Sequence, residues 1–135
     1  MSSISIKGVL LGALVDFAGS MFIGIAIIAA AAGLLGLGDV EATSGAFQAG
    51  VPRIVAFALS CPATVAGGYV AARVAERGEL INGTLCTFLS VIVTIMAVEE
   101  PWPWKMRDFI ELGLIPLAGM LGGYMRLRQV RAAVL

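Results

Sequence analysis

Histidine is absent from the chain, which removes the side chain most often used as a general base and as a transition-metal ligand. Cysteine is nearly absent. Cys61 and Cys86 both lie in apolar stretches without CxxC spacing, so they read as reduced packing residues and not as a zinc or redox site. Charge is scarce too: nine acids and nine bases make up 13% of 135 residues and cancel, whereas about a quarter of a soluble domain is charged. No basic cluster interleaved with aromatics is present to neutralise phosphates, which excludes a nucleic-acid partner. Nor does the sequence offer a nucleophile–base pair or a grouped acid site. The expectation is a protein that is not an enzyme and needs no cofactor or metal.

What remains is apolar. Hydrophobic residues make up 59% of the chain and the mean hydropathy is +0.97. They come in long blocks, not at the periods of an amphipathic helix or strand, and this predicts an integral membrane protein. A membrane-crossing helix needs about 20 mostly apolar residues. Four stretches come close, at about 8–37, 51–75, 80–98 and 109–125. The segments between them carry the charge, glycine and proline of interfacial loops, and none is long enough for a soluble domain. The expected fold is all-α: a single membrane domain over 1–135, a bundle of four transmembrane helices.

Lysine and arginine are retained on the cytoplasmic side. Cytoplasmic termini put Lys7, Arg73, Arg77, Arg126, Arg128 and Arg131 inside, against Arg53, Lys105 and Arg107 outside. Trp102 and Trp104 then fall at the outer headgroup layer, and the expected location is a bacterial inner membrane. A cleaved signal peptide is the competing reading of the N-terminus, with Lys7 ahead of an apolar run and "AAAAG" as a cleavage region. That run is much longer than a usual signal core of roughly 7–15 residues and contains Asp16, so the segment reads as retained.

One element is written twice. Gly67–Gly68–Tyr69 recurs as Gly122–Gly123–Tyr124, with Arg73 matched by Arg128 and Pro62 nearly in register with Pro116. Both copies end at the same membrane face, which predicts two helical hairpins related by an axis along the membrane normal. Small residues recur at four-residue spacing around them: Ser60, Thr64, Gly68 on one row, Ala63, Gly67, Ala71 on the next. Lipid supplies no hydrophobic force between helices, so close backbone approach over small side chains must hold them. Gly67, Gly68, Gly122 and Gly123 are therefore expected packing positions. Tyr69, Arg73, Tyr124 and Arg128 are expected anchors at the inner interface.

The stretch from Gly67 to about Leu89, with its Gly-Gly-Tyr-x-Ala-Ala-Arg end, short polar turn and next helix opening at a glycine, resembles small uncharacterised four-span bacterial membrane proteins. The resemblance implies the four-span fold and no activity.

Asp16 is the one acid inside an apolar block. It shares a row with Gly8, Gly12, Ser20 and Gly24, so it should face another helix. An ionisable side chain at membrane depth is a functional hypothesis by default. No lysine or arginine lies mid-span to pair with it, which leaves hydroxyls as partners: Ser60, Thr64 and Ser90, with Thr87 and Thr94 near them. Glu111 is expected to reach the outer interface or Arg53. Two functions follow. The first is a structural or accessory subunit packed through Gly/Ala-rich faces against copies of itself or a larger membrane complex; the second is a small proton- or cation-coupled transporter or channel using Asp16.

Overall fold

A computed structural model describes residues 4–35, 50–96 and 105–133. Within them lie four helices: α1 (Ile6–Leu35), α2 (Gly50–Ala75), α3 (Glu79–Met96) and α4 (Met106–Ala132). Each expected segment falls on one of them. The proposed ends at 37 and 98 lie outside the described residues, as do Trp102 and Trp104. Beyond residue 125 the chain continues as helix through Arg126, Leu127, Arg128 and Gln129, all good helix formers. Pro62 and Pro116 sit inside α2 and α4, each removing one backbone hydrogen bond, a loss that packed apolar helices tolerate.

Helices α1, α2 and α3 contain segments long and apolar enough to cross a membrane: Ile6–Gly33, Pro52–Ala75 and Glu79–Met96. The expected fourth span does not meet the same standard. Helix α4 has the length, but Asp108 and Glu111 near its start and Arg126, Arg128 and Arg131 near its end dilute its apolar middle.

The burial pattern inverts that of a water-soluble protein. The interior is small or polar, with Ala71, Ala72, Asn82, Cys86 and Thr87 fully buried, while Phe22 (75% exposed), Ile25, Ile54 and Phe109 point outward.

Helix α1 packs on α2 and α3, α4 packs on the same two, and α2 and α3 touch across the diagonal; α1 and α4 occupy opposite corners. The two hairpins, α1–α2 and α3–α4, therefore lie side by side. Helices α2 and α4 run parallel. Arg53 at the start of α2 meets Asp108 and Glu111 at the start of α4, and Tyr69 near the end of α2 meets Gln129 near the end of α4.

The doubled glycines explain how these helices approach. Consecutive helix residues point about 100° apart, so each pair faces two neighbours at once. A Cβ on Gly67 would meet α1, 2.6 Å from the Gly12 carbonyl oxygen, whereas one on Gly68 would meet the backbone of Gly119 in α4. A Cβ on Gly122 would strike Val65 and Tyr69 of α2, and one on Gly123 would come 2.5 Å from the Glu79 carbonyl oxygen of α3. The two copies are thus not in equivalent surroundings. The first glycine of α2 faces its own hairpin partner, whereas in α4 the second one does, so the repeat holds for helices but slips by one residue in contacts.

The turn between α2 and α3 is tight. Gly78 has φ 65° and Glu76 φ 59°; glycine adopts this left-handed conformation without steric cost, and glutamate does so against a penalty of about 1–2 kcal/mol. Asn82, fully buried, holds the turn together. Its Nδ2 donates to the carbonyls of Arg77 (3.1 Å) and Gly78 (2.9 Å), while its Oδ1 accepts the Ser5 backbone N–H at 2.7 Å. The start of α1 and the α2–α3 turn are thereby fixed together at one end of the bundle.

Candidate functional site

Asp16 stands at the centre of the bundle, 4% exposed. It is seated there by its neighbours' lack of side chains. A Cβ on Gly67 would lie 2.8 Å from the Asp16 Cβ, and one on Gly12, a turn earlier, would lie 2.6 Å from the Gly67 carbonyl oxygen. Only glycine at these positions lets α1 and α2 come close enough to enclose the carboxylate.

Beside Asp16 lies a cavity of about 120 Å³. Helix α1 contributes Asp16, Phe17 and Ser20, and α2 contributes Phe57, Ser60, Cys61 and Thr64. Ser90, Val91 and Thr94 come from α3, while α4 closes the far wall with Ile115 and Ala118. The four residues expected to form a polar site, Asp16, Ser60, Thr64 and Ser90, therefore line one space. Thr94 joins them, whereas Thr87 packs against Gly119 instead.

The hydroxyls are arranged as acceptors. Ser60 Oγ donates to the Phe57 carbonyl (2.8 Å), Ser90 Oγ to Cys86 (3.2 Å) and Thr94 Oγ1 to Ser90 (2.9 Å). Each hydroxyl spends its proton on its own helix and keeps oxygen lone pairs for another partner. The Thr64 side chain, in a residue 7% exposed, has no hydrogen-bond partner among the described residues. Among the described residues Asp16 receives only the Ser20 hydroxyl, at 3.5 Å, the outer limit for such a bond. A buried carboxylate with a single long contact is short of partners, since buried charges are strongly disfavoured unless paired and hydrogen-bonded.

The depth of the site follows from residue counts. Asp16 lies ten residues beyond Ile6, Thr64 eleven before Ala75, and Ser90 eleven beyond Glu79. At 1.5 Å per residue these are each about 15–17 Å from the same end of the bundle.

A second polar cluster occupies the opposite end. Arg53 Nη2 donates to Asp108 Oδ1 (2.8 Å) and to Glu111 Oε2, and Arg53 Nε donates to Glu111 Oε2 at 3.0 Å. Asp108 also accepts the Lys105 backbone N–H at 2.9 Å, which caps α4. The expected reach from Glu111 to Arg53 is present, with Asp108 added to it.

Other expected site residues divide. Gly8 packs against the Ala71 carbonyl oxygen at 2.6 Å from its notional Cβ, whereas among the described residues a Cβ on Gly24 would meet nothing within 4 Å. The α1 row stops at Ser20 because α1 there passes the bundle's close contacts. Tyr69 Oη donates to Gln129 Oε1 at 2.7 Å, tying α2 to α4. Tyr124, Arg73 and Arg128 are exposed at the same end. The sequence reading missed Gly119 as the partner of Gly68, and Asn82 as the clamp. Gly119, four residues before Gly123, carried a small-residue signal; Asn82 carried only its polarity beside a glycine turn.

No family model, curated protein or solved structure matches the chain. The fold and the cavity alone define what class of molecule this is: an all-helical bundle with membrane-span candidates, built around a buried carboxylate.

Proposed function

We propose that this chain is a four-span integral membrane protein that carries a small cation, a proton or a metal ion, through the Asp16 cavity. The membrane assignment draws on the three apolar helices and on the large side chains turned outward, the arrangement suited to lipid. Helix α4 spans as well. It is packed along α2 from Arg53 to Tyr69, and the Arg53 ion pairs lower the cost of Asp108 and Glu111 near the interface. The basic majority at the end holding Lys7, Arg73, Arg77 and Arg131 supports cytoplasmic termini in a bacterial inner membrane.

The observation that carries the function is a buried carboxylate with one 3.5 Å contact beside a cavity to which Ser60, Thr64 and Ser90 contribute, about 15 Å along the helices from the end of the bundle that holds Lys7 and Arg73. Reconstituted vesicles test it. Wild type should pass protons or alkali cations down an imposed gradient, and Asp16→Asn, which keeps the size and hydrogen bonding of a protonated carboxyl, should assemble yet pass none. Equal flux from a correctly assembled Asp16→Asn protein would reject the proposal.

A second reading, an accessory subunit or homo-oligomer, has one observation in its favour. Gly24 and Gly33 on α1 meet no other described residue, beside exposed Phe22 and Ile25, and leave room for a helix of another chain. The glycines first expected to serve such association, Gly12, Gly67, Gly68, Gly122 and Gly123, are occupied inside the bundle.

A further inference from the structure

We infer that the Asp16 cavity is a coordination site for a partly dehydrated alkali cation of sodium size, which competes with a proton for the same carboxylate. This rests on the cation-carrier reading and goes beyond it by naming the cargo. Five hydroxyl-bearing residues, Ser20, Ser60, Thr64, Ser90 and Thr94, line the cavity with Asp16 among apolar side chains. All are hard oxygen donors, the kind that hold alkali and alkaline-earth ions. One carboxylate balances one positive charge. Among the described residues no group of three His, Cys, Asp or Glu side chains comes together, so the donor set matches a monovalent ion better than calcium or a transition metal, which draw on several anionic or nitrogen and sulfur ligands.

A site built only to hold a proton needs a carboxyl and one acceptor. Here three hydroxyl protons are directed to backbone carbonyls, leaving their oxygens without a donor role, and the Thr64 hydroxyl has no partner among the described residues. A cavity of about 120 Å³ has room for several waters, enough for an ion that keeps part of its hydration. A carboxylate is a strong-field ligand and favours the smaller alkali ions, which gain more from close approach.

Competition with protons involves few other groups. Helix α3 brings Cys86 within electrostatic reach of Asp16, α2 brings Cys61 to the cavity wall, and α4 brings only Ile115 and Ala118. Among the described residues no basic side chain lines the cavity.

Dicyclohexylcarbodiimide, an apolar reagent that modifies protonated carboxyls, tests this on the full chain in lipid nanodiscs. Adducts are located by peptide mass mapping, with Asp16→Asn as the control. Labelling of Asp16 should fall as pH rises. At fixed pH and ionic strength, sodium replacing choline should slow it about tenfold once sodium reaches roughly ten times its dissociation constant, and potassium should protect less. Thr64→Val, which removes one oxygen at similar shape, should weaken sodium protection and leave the pH dependence in place. Labelling that follows pH but is the same in sodium and choline would overturn the alkali-cation inference while sparing a proton carrier; labelling indifferent to both would overturn both readings. Should the reagent not reach Asp16, the thermal unfolding midpoint decides: a sodium-specific rise lost in Asp16→Asn supports the site, and no rise refutes it.

Discussion

Gly68→Ala and Gly24→Ala are the same chemical change at two helix-interior positions with opposite surroundings. Alanine exceeds glycine in intrinsic helix propensity by about 0.8–1.0 kcal/mol, and this gain is common to both, so the difference between the variants isolates the contact. At Gly24 the new methyl meets nothing within 4 Å; at Gly68 it meets the Gly119 carbonyl oxygen, with the Gly119 carbonyl carbon and Cα each 2.8 Å away. Those atoms are backbone and cannot rotate aside. Relief requires α2 and α4 to separate by several tenths of an ångström, loosening contacts on both sides of Gly119, which itself packs on Gly83 and Thr87 of α3. Overpacking of this kind costs about 1–3 kcal/mol. Gly24→Ala is expected to be neutral or stabilising, and Gly68→Ala less stable than it by about 1–3 kcal/mol. Equilibrium unfolding in mixed micelles, with both variants measured beside wild type, reads that difference directly. Equal stability of the two would refute the claim that bare backbone contact holds α2 to α4.

Asn82→Ala removes the bonds to Ser5, Arg77 and Gly78 at once and should cost about 1–3 kcal/mol in the same unfolding assay; hydrogen exchange should rise first at the α2–α3 turn. Arg53→Gln takes the guanidinium from Asp108 and Glu111; a loss of about 1.5–3 kcal/mol is expected, and a double-mutant cycle with Glu111→Gln should recover part of it. Cysteines introduced at Ser3 and Leu135 should react with an impermeant maleimide only from the cytoplasmic face, and labelling of either from outside would reject the proposed orientation.

The helices were legible because apolar blocks of this length have few other fates, and the prolines, glycines and charges between them mark where each ends. The row Gly8, Gly12, Asp16 was legible for a similar reason: four-residue spacing keeps side chains on one face, and Asp16, Ser60, Thr64 and Ser90 do line one cavity. That row could not reveal where α1 leaves the bundle, since Gly12 and Gly24 look alike in sequence and only the neighbouring helices distinguish them. The repeat misled in one respect. Matching glycines in sequence suggested matching contacts, but facing directions shift by about 100° with one residue of slip, and that slip depends on how α4 meets Gly83 and Glu79. Asn82 stayed hidden because its partners are backbone atoms of Ser5, Arg77 and Gly78, which no residue type announces.

Carrying a cation requires the Asp16 carboxyl to change state inside the bundle, and infrared difference spectroscopy observes that group itself. Spectra of wild type minus Asp16→Asn, both in nanodiscs, isolate the band of a protonated carboxyl at this position. The expected result is a band that diminishes as pH is raised and also when sodium is added at constant pH. A band that stays unchanged through both titrations would mean a permanently protonated Asp16, an interhelical hydrogen-bonding residue with no cation to carry, and would contradict the account.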